Sequence, residues 1–190
     1  MSSSFPLVLW LAVLATMFAA AVSDLKARRI PNGLVLAVLA IAMMLQLLSG
    51  RGTLWLSLLV AAAVFVVGAF LAHANVVGGG DVKLISAVTV LVPPPVVPAL
   101  LICIALAGGV LSLFYLGATQ LARRNGGAAL AAGEPLPGAS EFDHLVRIEV
   151  GRMLANEPMP YGVAIFGGVV SLILIGVVTC MSATSCSLSV

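Results

Sequence analysis

Residues Leu84–Ala118 read LISAVTVLVPPPVVPALLICIALAGGVLSLFYLGA, without a single charge. As one helix this stretch would run about 52 Å at 1.5 Å per residue, against a bilayer core of about 30 Å. Pro93-Pro94-Pro95 interrupts it. Each proline lacks a backbone donor and clashes with the preceding turn, so the helix has to stop there. Two crossings are expected, an unusually short one over Leu84–Val92 and a second over Val96–Ala118.

Outward from this stretch the pattern repeats. Further uncharged apolar runs occupy about Pro6–Val22, Gly33–Leu48, Leu54–Ala72 and Tyr161–Met181. The 190 residues are 62% hydrophobic and only 8% charged, where an ordinary soluble domain carries about 25%. The expected fold is an all-α polytopic membrane protein of about six transmembrane helices, the fourth short and broken by Pro93–Pro95. At this length residues 1–190 are read as one domain.

The basic residues set the expected orientation. With two crossings in the proline-broken stretch, Lys26, Arg28, Arg29, Lys83, Arg123, Arg124, Arg147 and Arg152 share one side, and only Arg51 is opposite. With one crossing the last four move across and the bias is lost. Cytoplasmic loops are the ones enriched in Lys and Arg, so both termini are expected outside. The first run is not read as a cleaved signal, because Met1–Ser4 has no positive charge and the basic cluster follows the run.

The long polar connection 119–160 then falls on the cytoplasmic side. Gly126–Gly138 is rich in Gly, Ala and Pro and reads as a flexible linker. Beyond it Phe142, Leu145, Val146, Val150, Met153 and Leu154 recur at helical spacing. They mark an amphipathic helix, either on the membrane surface or packed on the rest of the chain. Cys103, Cys180 and Cys186 form no CxxC pair, and zinc ligation is not expected. A Cys180–Cys186 disulfide is left open, since it needs an oxidising compartment. No internal repeat, dinucleotide fingerprint, P-loop or nucleic-acid motif is present, and no nucleic-acid partner is expected.

Two carboxylates stand apart. Asp24 and Asp81 adjoin apolar runs, whereas Glu134, Glu141, Asp143, Glu149 and Glu157 all fall in the polar connection. A charged side chain at membrane depth costs roughly 2.5–3.5 kcal/mol on insertion scales, so such residues usually serve a function. On the expected topology Asp24 ends the first span and Asp81 precedes the fourth, both at the cytoplasmic face. Asp24 stands in Ser23-Asp24-Leu25-Lys26-Ala27-Arg28-Arg29-Ile30-Pro31-Asn32-Gly33, whose last three residues signal a turn into the next helix. Taken alone, Asp24 also reads as a solvated helix-end acid paired with Lys26 or Arg28. Asp81 closes Gly78-Gly79-Gly80-Asp81 and could simply N-cap the short helix. Three glycines exceed what a cap needs, and they suggest an open backbone that another chain could approach.

Two close carboxylates do not both ionise easily and share a proton. The ionised one can then act as a general base on water while the neutral one donates to a substrate carbonyl. Lys83 could favour ionisation of Asp81, or anchor the helix at the interface, and the anchor reading is preferred. His73 reads as an interfacial residue at the end of the third span.

Gly78-Gly79-Gly80-Asp81 followed by Lys83 resembles the Gly-x-Gly-Asp pattern of the type IV prepilin peptidases. Asp24 followed by Arg29-Ile30-Pro31-Asn32 resembles their first aspartate motif, and Met159-Pro160-Tyr161-Gly162 the Pro-Tyr/Phe-Gly segment that opens their last helix. The resemblance implies a membrane aspartyl endopeptidase that removes the short basic leader of prepilins or pseudopilins at the cytoplasmic face of the inner membrane. It implies Asp24 and Asp81 as the catalytic pair, without metal or cofactor. Gly78, Gly79, Gly80, Lys83, Pro160, Tyr161 and Gly162 are the expected supporting residues. The larger members also carry an N-terminal region with paired CxxC motifs and N-methylate the product. This chain has neither the region nor the cysteines, so it resembles the compact form of tight-adherence (Flp) pilus systems, and methyl transfer is not supported. Two other classes compete: a small proton- or ion-coupled transporter subunit, since membrane acids also mark ion pathways, and a non-enzymatic pilus assembly protein.

Overall fold

A computed structural model describes residues 4–48, 52–124, 141–155 and 159–182. Among them are seven α-helices: α1 Ser4–Ala27, α2 Asn32–Leu48, α3 Leu54–His73, α4 Gly79–Thr89, α5 Val97–Arg124, α6 Glu141–Leu154 and α7 Tyr161–Ser182. A 3-10 turn, Pro94–Val96, precedes α5. Three segments are long and apolar enough to cross a membrane, Val8–Ala27, Leu54–His73 and Pro94–Arg124, and Asn32–Leu48 and Tyr161–Gly176 are shorter apolar helices. The protein is an all-helical, multi-pass membrane protein.

The chain breaks at the prolines, but α4 ends ahead of them, at Thr89. Val90 and Leu91 close its last turn by donating to the carbonyls of Ala87 and Val88. α4 also begins earlier than the apolar run, at Gly79, and its 11 residues span only about 16 Å.

Two compact units emerge, residues 1–108 with 160–190, and residues 109–159. In the first, α4 lies against α2, α3 and α7, and α1 lies against α2 and α7. The core stripes follow helical periodicity: Val13, Met17 and Ala20 on α1, Val35, Val38 and Ala42 on α2, Leu84 and Val88 on α4, Ile165 and Val169 on α7. α3 meets α4 through small residues. Ser57 and Ala61 are its buried positions, and a Cβ added to Gly68 on the same stripe would meet Val82 at 2.6 Å. Small residues let membrane helices approach closely.

Gln46 is the polar exception in α2. It is buried, and its Nε2 donates to the Val90 carbonyl at 3.0 Å and to Ser57 Oγ at 3.3 Å. A helix end leaves carbonyls without amide partners, and hydrocarbon offers no water to satisfy them. Gln46 supplies a donor just past the end of α4 and ties it to α2 and α3.

α5 and α7 cross at Gly168, where an added Cβ would lie 2.6 Å from the Ile104 Cα and 2.7 Å from its nitrogen. Backbone cannot yield as a side-chain tip can. Gly168→Ala is therefore expected to destabilise the fold by about 1–3 kcal/mol, read as a lowered melting temperature in detergent. An unchanged melting temperature would show that the crossing is looser than described.

In the second unit, Tyr115 of α5 donates to Glu149 of α6, which also pairs with Arg152 at 3.5 Å. α6 is thus tied to α5. Gly126–Gly138 and Cys186 lie outside the described residues, as does the side chain of Cys180.

Candidate active site

Asp24 continues the buried stripe of α1. Val13, Met17, Ala20 and Asp24 follow one another at three- and four-residue spacing, so the carboxylate is directed inward and only 6% of the residue is exposed. α1 ends one turn later. Arg28 takes a left-handed backbone (φ 53°) and its N–H donates to the Asp24 carbonyl at 2.8 Å. Ser23 Oγ donates to the Arg29 carbonyl at 3.1 Å and fastens the loop that follows.

A buried carboxylate needs hydrogen bonds. Gly162, in the first turn of α7, donates its backbone N–H to Asp24 Oδ2 at 2.8 Å. The N-terminus of a helix offers amides without internal partners and a dipole that favours negative charge. A Cβ at Gly162 would lie 3.0 Å from both Asp24 Cβ and Oδ2, so this close approach requires glycine. Pro160, fully buried, receives the Val163 N–H on its carbonyl at 3.3 Å and so opens α7.

Asp81 stands in the first turn of α4, ahead of the apolar run Leu84–Val92 and outside the candidate spans. It is not the N-cap, the simpler alternative that the sequence left for it. Gly78 holds that position with an extended backbone (φ −67°, ψ 135°), and its carbonyl accepts from the Val82 N–H at 3.2 Å. Nor do the glycines form an open loop, because Gly79 and Gly80 are already helical. Their surroundings differ. A Cβ at Gly78 would lie 2.6 Å from Asp81 Oδ2, one at Gly80 would touch Ile30 at 3.6 Å, and one at Gly79 would meet nothing.

The two carboxylates are electrically coupled. Burial, and secondly the negative charge of Asp24, push the Asp81 carboxyl up from 3.8 to about 6. The folded state therefore holds a proton at Asp81 that the unfolded chain has released, over the range between those two values. Stability is expected to fall as pH rises from about 4 to about 6, and to stay lowered above. Asp81→Asn should remove this slope and melt at a higher temperature than the wild type at neutral pH. Thermal unfolding in detergent across that range checks it, and parallel curves for the two proteins would refute a raised Asp81.

The other expected residues divide. Lys83 is exposed and its Nζ donates to Asn32 Oδ1 at 3.2 Å, linking α4 to the start of α2. Tyr161 faces α5, its hydroxyl 3.0 Å from where a Cβ on Gly108 would stand. His73 is exposed at the end of α3. Sequence reading missed Gln46 and Ser57. The signal available was one amide inside an otherwise apolar run. No group of three or more His, Cys, Asp or Glu that could hold a metal ion occurs among the described residues.

The family model described as "Type IV leader peptidase family" matches residues 11–113, which include Asp24, Gly78 and Asp81. No curated protein and no solved structure matches the chain.

Proposed function

The chain belongs to the type IV leader peptidase family, whose members are aspartic prepilin peptidases, and from that premise we propose that Asp24 and Asp81 are its catalytic pair. One observation carries the assignment. These two acids, 57 positions apart in the sequence, stand on helices that both pack against α7, Asp24 in the last turn of α1 and Asp81 in the first turn of α4, and the charge of Asp24 is the lesser cause, after burial, of the raised Asp81.

The chemistry follows from a shared proton. The ionised carboxylate takes a proton from water as the water oxygen attacks the scissile carbonyl. The protonated carboxyl donates to the carbonyl oxygen, giving a neutral tetrahedral adduct. Collapse of the adduct breaks the C–N bond, and the leaving amine takes up a proton from the dyad. No step needs a metal or a cofactor. The amide of Gly162 gives Asp24 a donor that favours its ionised form. The apparent pKa values of such a dyad belong to the pair.

The substrate class is a prepilin, and a Flp-type prepilin is the first one to test. Six crossings with both termini outside place Lys26, Arg28, Arg29 and Lys83 on the cytoplasmic side. The leader is then cut at that face, where α1 ends and α4 begins.

The test is co-expression in membranes with a Flp-type prepilin. Leader removal, seen as a mobility shift with the wild type and lost in Asp24→Asn and Asp81→Asn, is the expected result. Wild-type protein that inserts yet cuts neither Flp-type nor other prepilin leaders would defeat the reading.

A further inference from the structure

α2 and α3 are consecutive, yet they scarcely touch, and each rests on α4. Between them lies an open trough of about 560 Å³ with α4 as its floor. Its walls include Leu36 and Leu39 from α2 and Ala62 and Phe65 from α3, and Asn32 and Lys83 border it.

This trough is not the cleavage site. Along α4 and its C-cap it is lined by Lys83, Ser86, Ala87 and Val90, one stripe at three- and four-residue spacing. Asp81 precedes Lys83 by two residues, about 200° around the helix. The trough therefore lies along the back of α4, away from the carboxylates.

Its polarity selects an occupant. Its walls are apolar side chains and its border carries one ammonium and one amide, a pairing that suits acyl chains lying below a phosphate. Lys83, its one charged residue, lies beside Asn32, where α2 begins and the apolar run of that helix starts. On the six-crossing reading, this end of α2 lies where headgroups meet hydrocarbon. An ammonium has three donors, and the bond to Asn32 Oδ1 uses one.

We propose that the trough binds an anionic phospholipid, its phosphate on Lys83 and Asn32 and its acyl chains along Leu36, Leu39, Ala62 and Phe65. The lipid would brace the helix that carries Asp81 from behind, and the inference is independent of which bond the protein cuts.

The test reads lipid rather than cleavage. Protein reconstituted into vesicles of equal phosphatidylcholine and phosphatidylglycerol is re-extracted, and its bound lipid is quantified by mass spectrometry. The wild type is expected to enrich phosphatidylglycerol about fivefold. Lys83→Gln should lose the enrichment. Ala62→Phe, on an exposed face of α3, should lower the total lipid retained, and Leu36→Trp repeats the block from the opposite wall should that variant fail to fold. No enrichment by the wild type, or full enrichment by Lys83→Gln, overturns the proposal. So does a dimer that Ala62→Phe dissociates, or a crosslink from position 62 to the prepilin helix, because either gives the trough to another occupant.

Discussion

Asparagine in place of either aspartate is expected to reduce leader removal by about 10²–10⁴-fold, the usual contribution of a positioned acid or base. The substitutions keep shape and remove proton transfer. In Asp24→Asn the side-chain oxygen can still accept the Gly162 N–H that now reaches Oδ2 at 2.8 Å. In Asp81→Asn a charge that burial and Asp24 both disfavour is gone. Both proteins should therefore insert and accumulate like the wild type, so lost activity will not reflect lost protein. Quantifying cleaved and uncleaved prepilin against membrane-bound enzyme separates the two. Processing at the wild-type rate by either variant would remove that residue from the dyad.

The second large effect is expected at Gly78. Its backbone lies in a region open to every residue, so alanine brings no conformational strain there. The whole consequence is the new Cβ, 2.6 Å from Asp81 Oδ2. A carboxylate at the end of a short side chain can swing aside at little cost to the fold. It cannot do so without leaving its catalytic position. A displacement of about 1 Å can cost about 10²-fold in rate, and Gly78→Ala should show a loss of that order in kcat with its melting temperature nearly unchanged. Gly79→Ala is the control. Its Cβ meets nothing within 4 Å, and alanine is the better helix former by about 1 kcal/mol. Equal activity in the two variants would mean that the carboxylate does not need the space beneath it. Gly79 also occupies the variable position of the Gly-x-Gly-Asp pattern, as its open surroundings would allow.

Much of this was legible in the chain because the physical signals were local. Prolines 93–95 announce a break wherever they occur, and two acids beside apolar runs are conspicuous against 8% charge. The start of α4 was not legible, because three glycines argue for a loop by propensity. Here two of them are the first helical residues, held by packing on Ile30 and by the carbonyl of Gly78. The alternative reading of Asp81 as the N-cap fails for the same reason, two helical residues being hidden in the glycine run. Gln46 escaped notice because its meaning lies in a partner 44 positions away. The amide of Gly162 is a backbone group and has no signature beyond the absence of a side chain. What it does was visible only once α1 and α7 were side by side.

The seam by which α3 joins the bundle has a consequence for how the gene tolerates change. Ser57, Ala61 and Gly68 face the interior, whereas Leu59, Val66, Val67 and Phe70 are exposed. In a saturation library of this helix, the outward positions should accept almost any lipid-soluble side chain. The three inward ones should reject anything larger than themselves, whatever its hydrophobicity. Selection along α3 would then read volume on one side and oiliness on the other.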